Sequence, residues 1–420
     1  MFRRSQRRHP FKTYIAEPLV NALAPWWGID WWLMTVTVGL TVLAGLAIRS
    51  AQLNIGSTDW WQHWVTGGVG LGVCLAIARS RYQTMIVGHW LVYGLSILSL
   101  IAVLFIGVSA NGAQSWINVA GFHVQPSEFA KVSLILSLAA TLHQDTAARL
   151  PMLLKVFVIA AIPGSLILLQ DLGTSLVFGA ITLGMLYWAN ANFGWILLII
   201  SPIVSAILFG VAFPVWLIWF GLMGLTAWLT LPWRWLGTVG AMAGNAIAGV
   251  GAGILWNMLQ PYQKDRLTLF LNPEQDALGG GYHLIQSRIA IGSGQLWGTG
   301  LYHGSQTQLN YVPEQHTDFI FSVVGEELGF MGAIAVMFLF WLLCLRLIRI
   351  ACKTEDNFGS LIAVGVLSMV LFQVLINVGM TIGIAPITGI PLPWLSYGRS
   401  SLLTNFIAIG LVQSVANRTP

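Results

Sequence analysis

Long apolar stretches, separated by short polar or Gly/Pro-containing turns, occupy the chain from residue 31 to residue 417. Runs of about 20 apolar residues are long enough to cross the hydrocarbon core of a bilayer as helices. The pattern therefore predicts an all-α polytopic membrane protein with apolar segments at 31–48, 59–79, 84–107, 127–142, 153–169, 172–190, 195–212, 213–231, 235–257, 330–348, 359–380 and 400–417. Pro202, Pro214 and Pro232 mark turns or kinks within 195–257, so the pattern fits either twelve spans or, with one hairpin fewer there, ten.

Charges in the turns predict which ends of the helices face the cytoplasm. Basic residues precede the first span and recur in alternate turns, as the positive-inside rule requires for a cytoplasmic N-terminus. They are Arg3, Arg4, Arg7, Arg8, Lys12, Arg79, Arg81, Arg149, Lys155, Arg234, Arg346, Arg349, Lys353 and Arg418, whereas Arg49 is an exception on the outer side. The predicted organisation is a basic cytoplasmic N-terminus (1–30), N-terminal membrane helices (31–257), a large extracytoplasmic loop (258–329) and C-terminal membrane helices (330–420).

Composition agrees with this class and excludes a soluble globular domain, because 56% of the residues are hydrophobic and only 8% are charged. The net charge of +5 includes the basic N-terminus, which is a topology signal before it is a binding site. Cys74, Cys344 and Cys352 lie in or beside apolar segments without metal-ligand spacing, so we predict neither a disulfide framework nor a zinc site. The N-terminus lacks the apolar core and cleavage site of a signal peptide.

The outer loop 258–329 gathers ionisable side chains that are rare elsewhere in the chain, so we expect chemistry or recognition there. Asp276 is its best-placed carboxylate, because it precedes the glycine triplet 279–281, which permits a close approach to a ligand. The alternative is that Asp276 caps the following helix, which is the more common role of a lone Asp in a loop and which spacing alone cannot overturn. Further on, Glu326 and Glu327 lie at the outer mouth of a span, where either a ligand contact or a structural ion pair is compatible with the pattern.

Two further outer segments carry candidate chemistry. Glu128 and Lys131 lie three residues apart at the start of a helix opened by Pro126, so they share one face and can neutralise each other. Both a packing pair and an ion pair lining a cavity are compatible with this spacing. Asp171 precedes an apolar run with hydroxyl residues, for which N-capping is the favoured explanation. The loop 381–399 is polar and broken by Pro and Gly, so it must be surrounded by protein or water.

Seven motifs follow one another along the chain: Gln125-Pro-Ser-Glu-Phe-Ala-Lys131, Asp171-Leu-Gly-Thr-Ser175, Asn272-Pro-Glu-Gln-Asp276, Gly281-Tyr-His-Leu-Ile-Gln-Ser287, Pro313-Glu-Gln-His-Thr-Asp-Phe-Ile-Phe321, Gly325-Glu-Glu-Leu-Gly329 and Gly389-Ile-Pro-Leu-Pro393. In type and order they resemble the SEDS family (shape, elongation, division and sporulation). The segment Gly304–Leu309 resembles the elongation members of this family more than its division members. This chain departs from the family at Gln170, where Pro is common, and at Arg399, where Gly is common. The added cation at 399 would assist a diphosphate or obstruct part of a cavity.

The resemblance implies a bundle of about ten transmembrane helices in the bacterial cytoplasmic membrane that polymerises lipid II at the outer face during cell elongation, as a peptidoglycan glycosyltransferase. Asp276 matches the family's catalytic Asp, and we expect it to act as general base on the acceptor sugar hydroxyl. The expected substrate-binding residues are Gln125, Glu128, Lys131, Gln286, Arg288, Glu314, His316, Thr317 and Ser396.

The resemblance also implies partners. These are a class B penicillin-binding protein acting as transpeptidase, lipid II, undecaprenyl diphosphate and the membrane itself, with no role for nucleic acid. The sequence predicts no metal site, although a divalent cation would stabilise a leaving diphosphate. A rival function is a transporter (flippase) of the same lipid-linked precursor, because many spans, intramembrane charges and broken helices are also typical of transporters. A scaffold that only recruits the transpeptidase is a third alternative.

Overall fold

A computed structural model describes residues 28–54, 60–110, 113–119, 122–143, 150–168, 170–258, 273–276 and 281–418. The α-helices in these ranges are α1 (Trp31–Gln52), α2 (Trp60–Arg79), α3 (Met85–Ile106), α4 (Pro126–Leu142), α5 (Leu150–Leu168), α6 (Leu172–Trp188), α7 (Phe193–Val211), α8 (Phe213–Thr230), α9 (Arg234–Met258), α10 (Tyr282–Ser293), α11 (Ser305–Gln308), α12 (Ile320–Lys353), α13 (Asn357–Ile382) and α14 (Arg399–Ala416). Every predicted apolar segment contains a helix, and 195–257 contains three. The prediction of an all-α polytopic membrane protein is confirmed.

Eight helices in the described ranges are long and apolar enough to cross a membrane, namely α1, α3, α5, α7, α8, α9, α12 and α13. Helix α6 is apolar but shorter. Helix α4 is less apolar because it lies inside the bundle: nearly every residue from Pro126 to Leu142 is buried, including Glu128 and Lys131. Its polar side chains therefore contact protein rather than lipid.

The centre of the bundle is formed by α4, α13 and α14, which pack against one another. Helices α2, α6 and α12 then pack around this centre, and α1 packs on α2 and α12. Helix ends that the charge pattern assigns to the same face are in contact. Arg418 after α14 donates to the carbonyl of Arg79 at the end of α2 (3.0 Å). At the opposite end of the bundle, the Gln125 amide before α4 donates to Ser400 Oγ in α14 (3.0 Å).

Helix α12 begins earlier than the sequence predicts, at Ile320 instead of 330, so its first turns fall within the predicted loop 258–329. Its backbone breaks at Gly329, where φ is +66°. A side chain at Gly329 would clash, since a Cβ there would lie 2.2 Å from the backbone nitrogen of Gly298. The predicted start of the span at residue 330 therefore coincides with this kink. The helical segment before the kink, from Ile320 to Gly329, is largely buried at the outer end of the bundle.

A three-stranded antiparallel sheet between α3 and α4 was not predicted. Its strands are β1 (Val108–Ala110), β2 (Ala113–Val119) and β3 (Phe122–Val124), in the order β1-β2-β3. The all-α class still describes the membrane helices, because this short sheet lies between the outer ends of two of them. Its strands have three to seven residues, so the period-2 signal was too short to separate from an irregular loop.

Helices α7, α8 and α9 form a separate cluster that is joined to the rest of the bundle mainly through α6. Three hydrogen bonds of polar side chains connect them inside an apolar surrounding. Trp216 Nε1 donates to Ser205 Oγ (2.6 Å), Ser205 Oγ donates to the carbonyl of Asn245 (2.8 Å), and Asn245 Nδ2 donates to Ser201 Oγ (2.9 Å). Because the lipid interior offers no alternative partner, these bonds hold the three helices in one register.

Replacing Asn245 tests this network. We expect Asn245→Ala to lower the stability of the cluster by about 1 kcal/mol, since interhelical hydrogen bonds in membranes contribute about 0.6–2 kcal/mol. The measurement is the melting temperature of the purified protein in detergent. Thr226→Ala is the matched control, because the hydroxyl of half-buried Thr226 donates to the Leu222 carbonyl of its own helix. Equal melting temperatures for the two variants would contradict the proposed role of the network.

Candidate active site at the outer end of the bundle

A buried ion pair lies at the outer end of α4. Lys131 Nζ is 2.8 Å from Glu128 Oε2, and each side chain is only 1% exposed. Pro126 stands at the first helical position, where its missing N–H costs no hydrogen bond, so the sequence places Glu128 in the first turn. Two buried charges are tolerated only when paired, so removal of either one leaves the other at a high energetic cost.

Asp276 ends a 3₁₀-helix, Pro273–Asp276, and its side chain is exposed. Its carbonyl accepts a hydrogen bond from the Gly281 amide (3.0 Å). The N-cap residue of α10 is Gly281, so the alternative that Asp276 caps this helix is wrong. Segments 259–272 and 277–280 lie outside the described residues, and with them Asn272 of the matched motif and most of the glycine triplet.

Arg288 and Gln286 belong to α10, which follows Asp276. The Arg288 side chain is exposed and lies beside Gly383, where a φ of +83° ends α13. Gln286 is partly buried. On the buried side of the helix, Ser287 Oγ donates to the carbonyl of Thr381 (2.7 Å) and so fixes α10 against α13. The helix therefore presents a guanidinium at the outer mouth of the bundle.

The predicted residues Glu314, His316 and Thr317 lie in the turn before α12. Thr317 Oγ1 donates to Glu314 Oε2 (3.0 Å), and the Glu314 side chain is exposed. The His316 ring lies 5.7 Å from the ring of Tyr397, whose amide donates to the His316 carbonyl (2.9 Å). This turn is therefore held against the loop that precedes α14.

Ser396 lies in that loop and is 4% exposed. Its Oγ accepts a hydrogen bond from the Leu392 amide (2.8 Å), and its own amide donates to the Leu392 carbonyl (2.9 Å). The hydroxyl oxygen stabilises the turn, and a contact between Ser396 and substrate stays a prediction.

Gln125, the N-cap residue of α4, is partly buried, and its backbone amide donates a hydrogen bond to Ser400 Oγ.

Glu326 and Glu327 have structural partners. The Glu326 carboxylate accepts hydrogen bonds from the amides of Gln306 (2.7 Å) and Thr307 (2.9 Å) and from the Thr307 hydroxyl (2.6 Å). Glu327 Oε1 accepts from Ser50 Oγ and from the Tyr302 amide (3.2 Å). Both carboxylates thus fasten the outer loop to the start of α12 and the end of α1. The sequence left open a ligand contact or an ion pair and missed this third arrangement, in which backbone amides and hydroxyl groups donate to the carboxylates.

The prediction that Asp171 is an N-cap residue is confirmed, because its carboxylate accepts hydrogen bonds from the Gly173 amide (2.9 Å) and the Thr174 hydroxyl (2.7 Å) at the start of α6.

Gln170, one of the two departures from the family pattern, is buried, with its Nε2 3.5 Å from the Leu100 carbonyl. Arg399, the other departure, is the first residue of α14, and its guanidinium carbon lies 5.3 Å from the centre of the Phe122 ring. Within the described ranges, no group of three or more His, Cys, Asp or Glu side chains is placed to hold a metal ion.

These features define a polytopic helical membrane protein with a buried ion pair and a set of polar loops at one end of its bundle. A family model for cell cycle proteins of the FtsW, RodA and SpoVE type matches residues 27–222 and 214–420. The chain belongs to this family, the SEDS family that its motifs resemble. The two matched segments overlap within α8, in the region where the sequence allowed one hairpin more than ten spans.

Named relatives agree with the family. The peptidoglycan glycosyltransferase RodA of Treponema pallidum is 36% identical over 93% of this chain and 98% of its own length. The peptidoglycan glycosyltransferase MrdB of Escherichia coli K12 is 32% identical over 92% of this chain and 93% of its own. A solved chain from a peptidoglycan synthase complex that coordinates polymerization and crosslinking has a TM-score of 0.70 at 27% identity, covering 93% of this chain and 98% of that chain.

Proposed function

We propose that this protein is a peptidoglycan glycosyltransferase that polymerises lipid II at the outer face of the bacterial cytoplasmic membrane during cell elongation. The observation that carries the proposal is the buried Glu128–Lys131 pair at one end of the bundle, since an ionisable pair inside a membrane protein is retained for function more often than for stability. The relatives support the reaction class, because two of them are named for this activity.

In the proposed reaction, the Asp276 carboxylate takes the proton of the acceptor sugar's 4-hydroxyl. The freed oxygen attacks the anomeric carbon of the growing donor chain. The bond from that carbon to the diphosphate oxygen breaks, and undecaprenyl diphosphate leaves with the electron pair. The exposure of Asp276 fits this role, because the carboxylate can reach a substrate that approaches from outside the bundle. General-base assistance contributes about 10²–10⁴-fold, and positioning of the two sugars contributes much of the rest.

Departure of the diphosphate requires positive charge close to its oxygens. Lys131 is partly neutralised by Glu128, but an ammonium group has three donors, so it can serve a second acceptor. Arg288 is exposed at the outer mouth and is a second candidate. A divalent cation bound together with the diphosphate is a further proposal.

The proposed partner is a class B penicillin-binding protein that cross-links the glycan strands. Its support is the likeness to a chain from a synthase complex in which polymerization and crosslinking are coordinated. The transporter remains the rival function, because the break of α12 at Gly329 and the polar loop before α14 are also features of transporters.

A reconstitution experiment separates the two functions. The purified protein and its transpeptidase partner are placed in detergent with fluorescent lipid II, and in parallel the protein is placed in vesicles carrying the same lipid. We expect glycan strands to form in detergent. A wild type that makes no glycan but moves lipid II across vesicles would overturn the proposal in favour of a transporter.

A further inference from the structure

Two adjacent residues of α14 hold the segment that joins the three-stranded sheet to α4. The Arg399 guanidinium lies over the ring of Phe122 in β3, with Cζ 5.3 Å from the ring centre. The next residue, Ser400, accepts a hydrogen bond at Oγ from the Gln125 amide (3.0 Å). Gln125 is the N-cap residue of α4, and Glu128 follows in the first turn. Both ends of the segment 122–125 are thus attached to the start of α14.

The charge of Arg399 does not stabilise α14 itself. A cation in the first turn of a helix faces the positive end of the helix dipole, which is unfavourable. Among the described residues, no carboxylate lies within ion-pair distance of Arg399, and the ion pairs there are Glu128–Lys131 and Asp30–Arg346. The contact that orients the guanidinium is therefore the aromatic face of Phe122, a side chain that is 60% exposed.

We propose that Arg399 is a positioning residue that clamps the sheet onto α14 and so orders the start of α4 at the outer mouth. This inference rests on the proposed function, since the mouth is where lipid II would bind beside the Glu128–Lys131 pair. Without the clamp, β3 and Gln125 must be ordered when the substrate binds, and this ordering weakens binding. Arg399 acts through the ring of Phe122, beside the hydrogen bond from Gln125 to Ser400, and not through a contact with the substrate.

Hydrogen exchange tests the clamp without any activity measurement. The exchange of peptides covering β3 and Gln125 is compared in wild type, Arg399→Gln, Phe122→Leu and the double variant. We expect both single variants to accelerate exchange about two- to fivefold, the range that an exposed cation–π contact supplies. The double variant should add little, because each single change already removes the contact. Arg399→Lys, which keeps a cation, should retain most of the protection.

The matched control is Arg349→Gln, the same substitution at an exposed arginine near the opposite end of α12. It should leave exchange at β3 unchanged. Unaltered exchange in Arg399→Gln, or acceleration in Arg349→Gln as large as in Arg399→Gln, would overturn the clamp.

Steady-state kinetics then connect the clamp to the reaction. We expect Arg399→Gln and Phe122→Leu to raise KM for lipid II by similar factors while kcat changes less, because Asp276 and the ion pair remain in place. A large loss of kcat in Arg399→Gln that is absent in Phe122→Leu would instead show direct contact with the leaving diphosphate and would overturn the positioning role. If wild type makes no glycan, the proposed function fails, whereas the exchange data still decide whether the clamp exists.

Discussion

Asp276→Asn should lower the rate of glycan polymerisation by the purified protein about 10²–10⁴-fold, because an amide cannot accept the proton of the acceptor hydroxyl. The replacement keeps the size and polarity of the side chain at an exposed position, so expression and melting temperature should not change. The measurement is the initial rate of lipid II consumption, with product length analysed by gel, at equal amounts of wild-type and variant protein.

Glu274→Gln is a matched control, since Glu274 is an exposed carboxylate in the same short 3₁₀-helix and undergoes the same acid-to-amide change. It should retain activity near that of wild type. Similar losses in Asp276→Asn and Glu274→Gln would indicate that the negative charge of this turn matters rather than a base at one position. Full activity in Asp276→Asn would remove Asp276 from the mechanism.

In cells, the same variant distinguishes a polymerase from the two rival functions, a transporter and a scaffold. If the protein is a transporter or a scaffold for the transpeptidase, Asp276→Asn should still support growth and rod shape, because neither function requires a base at this position. A polymerase with the same substitution should fail to support growth even though the variant reaches the membrane in normal amounts. Complementation and the rate measurement together therefore assign the role of the carboxylate.

The fold was largely predictable because each membrane-spanning helix requires a long run of apolar residues, which is visible in the sequence. The runs located all the long helices of the described ranges, and Asp171 was identified as an N-cap from its position alone. The start of α12 was missed because its first turns carry Glu326 and Glu327, which a hydropathy pattern assigns to a loop. Those carboxylates are buried because loop residues far away in the sequence supply their hydrogen bonds, and no local pattern encodes such partners.

The site was predictable only in part. The three-residue spacing on one helix face predicted that Glu128 and Lys131 form a pair. It did not predict that the pair is almost completely buried, because burial depends on the packing of α13 and α14 around α4. Capping by Asp276 was a reasonable expectation for a lone Asp in a loop, and it is wrong because the N-cap residue of α10 is Gly281. The contact between Arg399 and Phe122 joins residues that are far apart in the chain, so it was accessible only from the structure.

Lys131→Met should have the largest effect on stability. It leaves Glu128 buried without its cation, and removal of one partner from a buried pair costs about 3–5 kcal/mol. The double variant Glu128→Gln/Lys131→Met should recover most of this loss, because it buries no charge. Melting temperature in detergent, followed by tryptophan fluorescence, measures both effects. Lys155→Met is the matched control, since exposed Lys155 undergoes the same substitution and should melt like wild type.

Activity of the double variant separates a structural pair from a functional one. If Lys131 stabilises the leaving diphosphate, the double variant should be folded and yet polymerise lipid II far more slowly than wild type, because a neutral pair supplies no positive charge. A double variant that is both stable and fully active would assign the pair to packing alone. A double variant no more stable than Lys131→Met would contradict the argument that the unpaired carboxylate causes the loss.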